Sequence, residues 1–307
     1  MSVTVFSELG NWLAHWTAQI WPTLETVLLI PVTPSQRMYW LFVLSSAALA
    51  LGVVYFRRRK LTLHLLRQTF FSRRYWLNRS TGVDFLLLFG NSLIKAFFIV
   101  PMVGSNLLLS IWVSRLLMAN FDMPPNWEMP IYFVLLTYTL VFFLVEDFSR
   151  FGLHMLFHKV PLLWRFHKVH HGATVLTPVT LYRIHPLEMS LYYFRSFFVF
   201  GVVSGVFVYL FGASVGAYDI MGVHALGFIF NAMGANLRHS HIPLGFGALE
   251  RLFISPAQHQ IHHSRAVEHH DSNFGSTLAV WDKLFGTLVY SRNIGRLRFG
   301  FARKKSS

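Results

Sequence analysis

The sequence predicts an all-α integral membrane protein, with about four transmembrane helices paired in hairpins and a helical cap on the cytoplasmic face. Three observations carry this. The 307 residues are 54% hydrophobic and only 13% charged, which is poor in charge for a soluble domain. Long uncharged runs recur, and basic residues gather at their ends, as the positive-inside rule places them on a cytoplasmic flank. Fourteen of the sixteen histidines fall between His154 and His270, most of them in polar stretches outside the apolar runs.

The elements follow in order. Residues 1–37 are mixed: Trp12, Trp16 and Trp21 with Ile20, Leu24 and Leu28 suit an interfacial helix or a weak membrane segment, broken by Pro22, Pro31 and Pro34. Residues 39–56 form an uncharged run of 18 residues, close to the length that crosses a bilayer. The run starts too late, and lacks the small-residue cleavage site, for a secretory leader. Arg57-Arg58-Arg59-Lys60 follows it, and Arg67, Arg73, Arg74 and Arg79 keep residues 57–83 basic, which predicts a cytoplasmic loop. Residues 85–113 form a second apolar stretch, kinked or partly buried in protein where Lys95 and Pro101 interrupt it. Residues 120–128 read as a polar turn around Pro124-Pro125, and residues 131–145 return across the membrane to complete a hairpin.

No glycine or proline stops that helix before Gly152. His154, nine residues past Val145, therefore stands about 13 Å further along, just above the membrane. Pro161 breaks the helix, and a short one carries Trp164 to His171 with Gly172 as its C-cap. Residues 195–231 are apolar but divided by Gly201, Gly205, Gly212 and Gly216, with Asp219 and His224 inside; they predict a further hairpin with a short second arm. The remainder is polar. The expected divisions are an N-terminal interfacial segment (1–37), an N-terminal transmembrane region (38–130), a catalytic domain (131–290) and a basic tail (291–307).

The chain has no cysteine, which excludes disulfides, iron–sulfur clusters and cysteine-type zinc fingers within it. Its net charge of +14 points to anionic lipid headgroups rather than nucleic acid, because the cations flank apolar segments and no nucleic-acid motif is present.

The histidines form three tight clusters: His154-Met-Leu-Phe-His158, His167-Lys-Val-His170-His171 and His259-Gln-Ile-His262-His263. Residues three and four apart share a helix face, so each cluster projects two or three imidazoles one way. A single such pair arises by accident often enough. Three together do not, because packed imidazoles without a metal lose hydration and repel. Eight nitrogen ligands are too many for one ion and suit two. Nitrogen coordination suits iron, zinc and copper alike. A zinc hydrolase is disfavoured by the absence of His-Glu-x-x-His. A transporter or other non-catalytic metal protein is disfavoured because the histidines lie outside the spans instead of in mid-membrane.

Taken with their surroundings, these boxes resemble the fatty acid hydroxylase / sterol desaturase superfamily of membrane-bound histidine-box oxygenases. The similar segments are Trp164-Arg165-Phe166-His167-Lys168-Val169-His170-His171, His185-Pro186-Leu187-Glu188, Ser255-Pro256-Ala257-Gln258-His259-Gln260-Ile261-His262-His263-Ser264, Asp271-Ser272-Asn273-Phe274-Gly275 and Trp281-Asp282-Lys283-Leu284-Phe285-Gly286-Thr287. The resemblance covers residues 130–290 and says nothing of the substrate within the superfamily.

It implies a non-haem di-iron oxygenase using O2, with zinc able to replace iron in a purified sample. By position, His154, His158, His167, His170, His171, His259, His262 and His263 would be ligands. The family supplies a further histidine just before the last box. Here Arg238-His239-Ser240-His241 stands there, with His239 preferred and His241 second. Ala235 occupies the position four before His239, so one ion is expected to have a different set, with Asn236 or water. His185 is open between ligand and neighbour. Carboxylates that orient imidazoles through the other ring nitrogen are sought among Glu146, Asp147, Glu188, Asp271 and Asp282, with Asp271 and Glu188 preferred. Ordinary ion pairs with Arg150, Arg183 or Lys283 are the alternative. His269 and His270 read as solvated, and His15, His64 and His224 as structural or interfacial.

The expected substrate is a lipid: an acyl chain, a sterol or a polar lipid. Hydroxylation and desaturation both remain open. No Gly-x-Gly-x-x-Gly and no cytochrome b5-like segment is present, so a separate cytochrome b5, ferredoxin or flavoprotein reductase is implied. A bacterial inner membrane and the endoplasmic reticulum are both compatible. Lys304-Lys305-Ser306-Ser307 resembles a dilysine retrieval signal and reads equally as a basic tail.

Overall fold

A computed structural model describes residues 25, 27–99, 102, 106–121, 127, 129–212, 219–220, 223–292 and 295–301. Trp12, His15, Trp16, Trp21, most of the turn at 120–128, Gly216 and the last four residues lie outside them.

The first helix, α1 (Trp40–Arg58), is the uncharged run. Two short helices follow in the basic loop, α2 (Leu63–Phe70) and α3 (Arg73–Trp76). Each starts on a hydroxyl that accepts from a free N–H of the first turn: Thr62 from Leu65 and Ser72 from Arg74. Asn78 caps α4 (Arg79–Ile94) in the same way, through Thr81. The last turn of α4 widens into a π-helical segment, Lys95–Ile99. Then come α5 (Asn106–Phe121), α6 (Ile131–Lys159), α7 (Pro161–His171), α8 (Pro186–Phe211) and α9 (Ala225–Ala232). Two short cap helices close the order, α10 (Pro256–His262) and α11 (Val280–Leu284). The only strands among the described residues are a two-residue antiparallel pair, β1 (Asp219–Ile220) and β2 (Val223–His224).

Among the described residues, four helices are long and apolar enough to cross a membrane: α1, α4 with its π segment, α6 and α8. The chain is an all-helical integral membrane protein. α6 has 29 residues and so runs about 43 Å, against roughly 30 Å of hydrocarbon core. The surplus carries His154 and His158. Pro161 opens α7 at its first position, where a missing N–H costs nothing. The chain thus turns at once and brings the second box beside the first.

Two expectations are corrected. The run at 85–113 is carried by two helices, α4 and α5, rather than one, and residues 100–101 and 103–105 between them lie outside the described ones. The region at 195–231 is not divided at Gly201 or Gly205. Both lie inside α8, which begins at Pro186 and ends only where Gly212 turns to φ 79°. The two glycines serve close approach instead. A Cβ on Gly201 would stand 2.8 Å from Leu109 Cβ, and one on Gly205 would stand 2.7 Å from the Ser110 carbonyl. The missing side chains let α5 pack backbone to backbone on α8, as small residues do between membrane helices. α8 also packs on α6, through Val203 and Phe207 against Val134 and Tyr138. The Tyr138 hydroxyl and Ser204 Oγ share a hydrogen bond of 2.8 Å there.

The expected short second arm is α9. It packs Phe228 on Phe42 of α1, and the following residues Leu237 and Ile242 bury against Ala50. This leads the chain from the membrane back to the cap. Replacing Gly205 with alanine is expected to destabilise the α5–α8 contact by about 1–3 kcal/mol. Gly152→Ala, where nothing lies within 4 Å, should be neutral or stabilising by up to about 1 kcal/mol. Thermal unfolding of the two variants in one detergent checks the contrast.

Candidate metal centre

The cap gathers nine histidines into two groups. His154, His158, His167, His171 and His262 form one; His170, His239, His259 and His263 form the other. Within each group the candidate ligand atoms all lie within 4.8 Å of one another. Helical spacing explains the split. On α7, His167 and His171 are one turn apart and serve the first group, while His170 faces the second. On α10 and its C-cap, His259 and His263 serve the second group, while His262 faces the first. Each short helix therefore feeds both groups. Ser255 starts α10 with a reciprocal capping box to Gln258, which fixes the direction in which the third box points.

The ring nitrogens show what the groups are built for. His154 Nδ1 donates to the Phe274 carbonyl at 2.8 Å, His170 Nδ1 to the Arg183 carbonyl at 3.1 Å, and His262 Nδ1 to the Ser272 carbonyl at 2.7 Å. A carbonyl only accepts, so these Nδ1 atoms carry hydrogen and each neutral ring presents an Nε2 lone pair. His167 Nδ1 likewise meets Glu188 Oε1 at 2.8 Å. Yet His154 Nε2 and His167 Nε2 are 3.2 Å apart, and when His167 Nδ1 donates to Glu188 no hydrogen is left to place between them. In the second group the Nε2 separations are 3.1 to 3.3 Å. Two nitrogens each about 2.1 Å from a common ion lie roughly 3.0 Å apart at a right angle and about 3.4 Å apart at the tetrahedral angle. The buried Nε2 atoms of His158 and His262 have no hydrogen-bond partner. The donor set fits metal ions held by nitrogen.

The profile of one protein family, fatty acid hydroxylase, matches residues 139–287. Residues 139–287 belong to the fatty acid hydroxylase family. Among curated proteins, an ornithine lipid hydroxylase of Rhizobium tropici is 28% identical over 53% of this chain and 44% of its own length. An alkylglycerol monooxygenase of Xenopus tropicalis is 27% identical over 58% of this chain and 34% of its own. Methylsterol monooxygenase 1 of Gallus gallus is 30% identical over 54% of this chain and 51% of its own. The chain thus spans about half or less of the length of these relatives. No solved structure matches.

Residues 139–287 surround their histidines with fixed partners. Glu188 is 2% exposed and holds His167. Asp271 Oδ1 faces His158 Nδ1 at 3.5 Å, while its Oδ2 accepts from Lys159 at 2.7 Å. Both preferred carboxylates therefore stand against ring nitrogens. Glu146 makes ion pairs with Arg150 and Arg195. Asp147 accepts from the backbone of Thr277 and Leu278 and from the Trp281 indole. Asp282 accepts from the N–H groups of Phe274 and Gly275 and from Thr287 Oγ1. It makes no ion pair with Lys283 among the described residues; it shapes the loop whose carbonyl orients His154.

Several expected contributors lie elsewhere. His185 caps α8, with Nδ1 accepting from the Leu187 N–H. His241 stacks flat on Tyr75 at 3.8 Å, beside a different cavity. Asn236 donates to the Arg37 carbonyl and stands in neither group, so the second group is four histidines without it. His270 is exposed and His269 half-buried in a loop. His224 meets the Thr139 carbonyl, and His64 pairs with Gln68 at the surface. The backbone carbonyls of Phe274, Arg183 and Ser272 were not foreseen, since any residue type supplies a carbonyl. A weaker signal did exist for the Arg183 carbonyl: Asp84 sits in an apolar run, and it binds the Arg183 guanidinium at 3.0 Å.

Burial, and then neighbouring imidazoles, hold His167, His171, His239, His259, His262 and His263 well below the ordinary histidine value. Burial holds His170 at about 4. Neutral rings are the form that binds metal. The folded chain also binds fewer protons than the unfolded one wherever pH lies between the two values, so stability falls as pH falls. For His170 that window runs from 6.5 down to about 4. Chelator-treated protein should therefore lose apparent Tm steadily from pH 7 to pH 5, and more gently in His170→Gln. A flat profile would show that these rings are not buried neutral.

Proposed function

We propose that this chain is a membrane-bound non-haem di-iron oxygenase that hydroxylates a C–H bond of a lipid. The observation that carries the reading is the facing of unprotonated imidazole nitrogens in two groups within a hydroxylase-family domain. His154, His158, His167, His171 and His262 would hold one iron, and His170, His239, His259 and His263 the other. Supplied with O2 and external electrons, an iron pair bound there would oxidise an unactivated C–H bond. The protein's own part is positional. Phe274, Arg183, Ser272 and Glu188 hold the Nδ1 atoms of His154, His170, His262 and His167 turned outward, which fixes how those four rings point. The relatives named as hydroxylases and monooxygenases favour hydroxylation over the desaturation that the same ligands could support.

A cavity of about 950 Å³ reaches His154, His167, His170, His239 and His259. Leu88, Ile184, Met189 and Phe197 give it apolar walls, suited to an acyl chain or a ring system that enters with its reacting carbon under the histidines. We place the cap on the cytoplasmic side, because Arg57, Arg58 and Arg74 of the basic loop share a second cavity with cap residues Gln260 and Ile261. A separate cytochrome b5, ferredoxin or flavoprotein reductase would deliver electrons from that side. The catalytic domain is taken as residues 131–290.

Protein purified in detergent from iron-enriched growth should carry about two irons per chain with a coupled Mössbauer spectrum, and His170→Ala and His262→Ala should each lose it. Zinc alone, or no metal in a folded protein, would sink the di-iron reading. With reductant, O2 and membrane lipid extract, a product heavier by one oxygen is expected. A product lighter by two hydrogens would make the enzyme a desaturase.

A further inference from the structure

The cavity beneath the histidines carries an unbalanced charge. Four cationic side chains line it, Arg37, Lys95, Arg150 and Arg238, against one carboxylate, Glu188. Glu188 is engaged with His167. Arg150 pairs with Glu146, which Arg195 shares, so that trio remains one positive charge in excess. Asp147 gives its oxygens to backbone and indole donors, and its charge acts on Arg238 and Arg150, not on Arg37 or Lys95. Arg238 is 2% exposed. It donates to the carbonyls of Ile254 and Ser276 and leaves Nε without a partner.

The two remaining cations face no carboxylate among the described residues. Arg37 has no ion pair there, and burial followed by repulsion from Arg150 pushes its guanidinium down to about 10. Tyr182, in the same cavity, has a buried hydroxyl without a hydrogen-bond partner. Lys95 opens the π-helical segment of an apolar, membrane-length helix, and its ammonium stands 5.4 Å from the Tyr193 ring centroid. π-Helical turns recur at functional positions, and an ionisable residue in a span is costly unless a cavity or ligand uses it. A lysine at such a place can also reach for the membrane surface, but here it lines the cavity together with Arg37. Imidazole ligands are neutral, so bound metal ions would deepen the deficit of negative charge.

We infer that the cavity selects a lipid bearing an anionic group, a carboxylate or a phosphate, whose charge is taken by Arg37 and Lys95 while the Tyr182 hydroxyl donates to it. The apolar walls then hold the chain. This deepens the oxygenase reading and rests on it only for calling the bound lipid a substrate; the binding itself requires neither metal nor O2. Arg37 and Lys95 are positioning residues that set which lipid is oxidised.

The test is binding by native mass spectrometry, with the full chain released from neutral detergent and treated with chelator. Oleate and oleoyl lysophosphatidate are the anionic probes; oleyl alcohol and monooleoylglycerol are the neutral ones. The anionic probes should bind about tenfold or more tightly than the neutral ones, as expected for charge-assisted hydrogen bonds. Comparing the two anionic probes tells carboxylate from phosphate. Arg37→Gln and Lys95→Gln should each remove most of that preference and leave oleyl alcohol binding unchanged, which also reports that the cavity has folded. Arg37→Lys should retain it, and Arg58→Gln, at the other cavity, should not alter it. Equal binding of charged and neutral probes, or a preference that survives the double variant, would overturn the inference. Iron content and lipid oxidation are read in parallel on untreated protein. Normal iron and turnover without charge preference would remove this inference alone; charge preference without iron or turnover would remove the oxygenase reading alone.

Discussion

Burying nine imidazoles in two groups that could hold metal is the constraint on this cap, because packed rings lose hydration and repel once charged. Every other part of the cap answers that constraint. A ring must be held by its Nδ1 proton, and the acceptors come from loops that have to be fixed in turn. Asp282 binds two successive N–H groups so that the Phe274 carbonyl meets His154. Asn273, at φ 54°, adopts a backbone form that asparagine tolerates better than most residues. Its side chain ties the Gln258 and Val289 carbonyls together. Asp84 reaches from α4 to Arg183, whose carbonyl holds His170. One carboxylate from a membrane-length helix thus steadies a ligand of the cap.

The membrane helices supply a frame of a different kind. They have little polar chemistry to fix their places, and contact distance does the work instead. Gly201 and Gly205 bring α5 against α8, and the Tyr138–Ser204 hydrogen bond pins α6 to the same helix. α6 and α8 are also the helices that carry His154, His158 and Glu188 to the cap. Packing among spans therefore bears directly on where these histidines and Glu188 stand. The cavity lies in this frame, with apolar side chains and four cationic ones in its lining.

The sequence made the ligand-bearing elements legible because helical spacing is a strong signal. His-x-x-His-His on α7 and α10 states which rings can point together, and the uninterrupted stretch from Val145 to Phe151 shows α6 running on past the bilayer. It could not show that α7 divides its rings between two groups, since that depends on where α6 and α10 dock. It misled at Gly201 and Gly205, because a glycine in an apolar run is equally a helix break and a contact point. His185 and His241 looked like candidate ligands by position, and only the fold reveals that one caps a helix and the other stacks on Tyr75. Arg37 and Lys95 carried no motif at all. Their meaning arises from a cavity that brings residues far apart in sequence into one lining.

The order in which the rings leave the ribosome has a consequence of its own. His154, His158, His167 and His171 belong to consecutive helices, α6 and α7, and make four of the five members of the first group. Of the second group only His170 exists at that stage; His239, His259 and His263 follow the insertion of α8. The Phe274 carbonyl that orients His154 arrives 120 residues after it. The first group is thus nearly complete in the growing chain long before the second. Two ions held there would be bound by similar rings but would meet the chain at different stages of its synthesis.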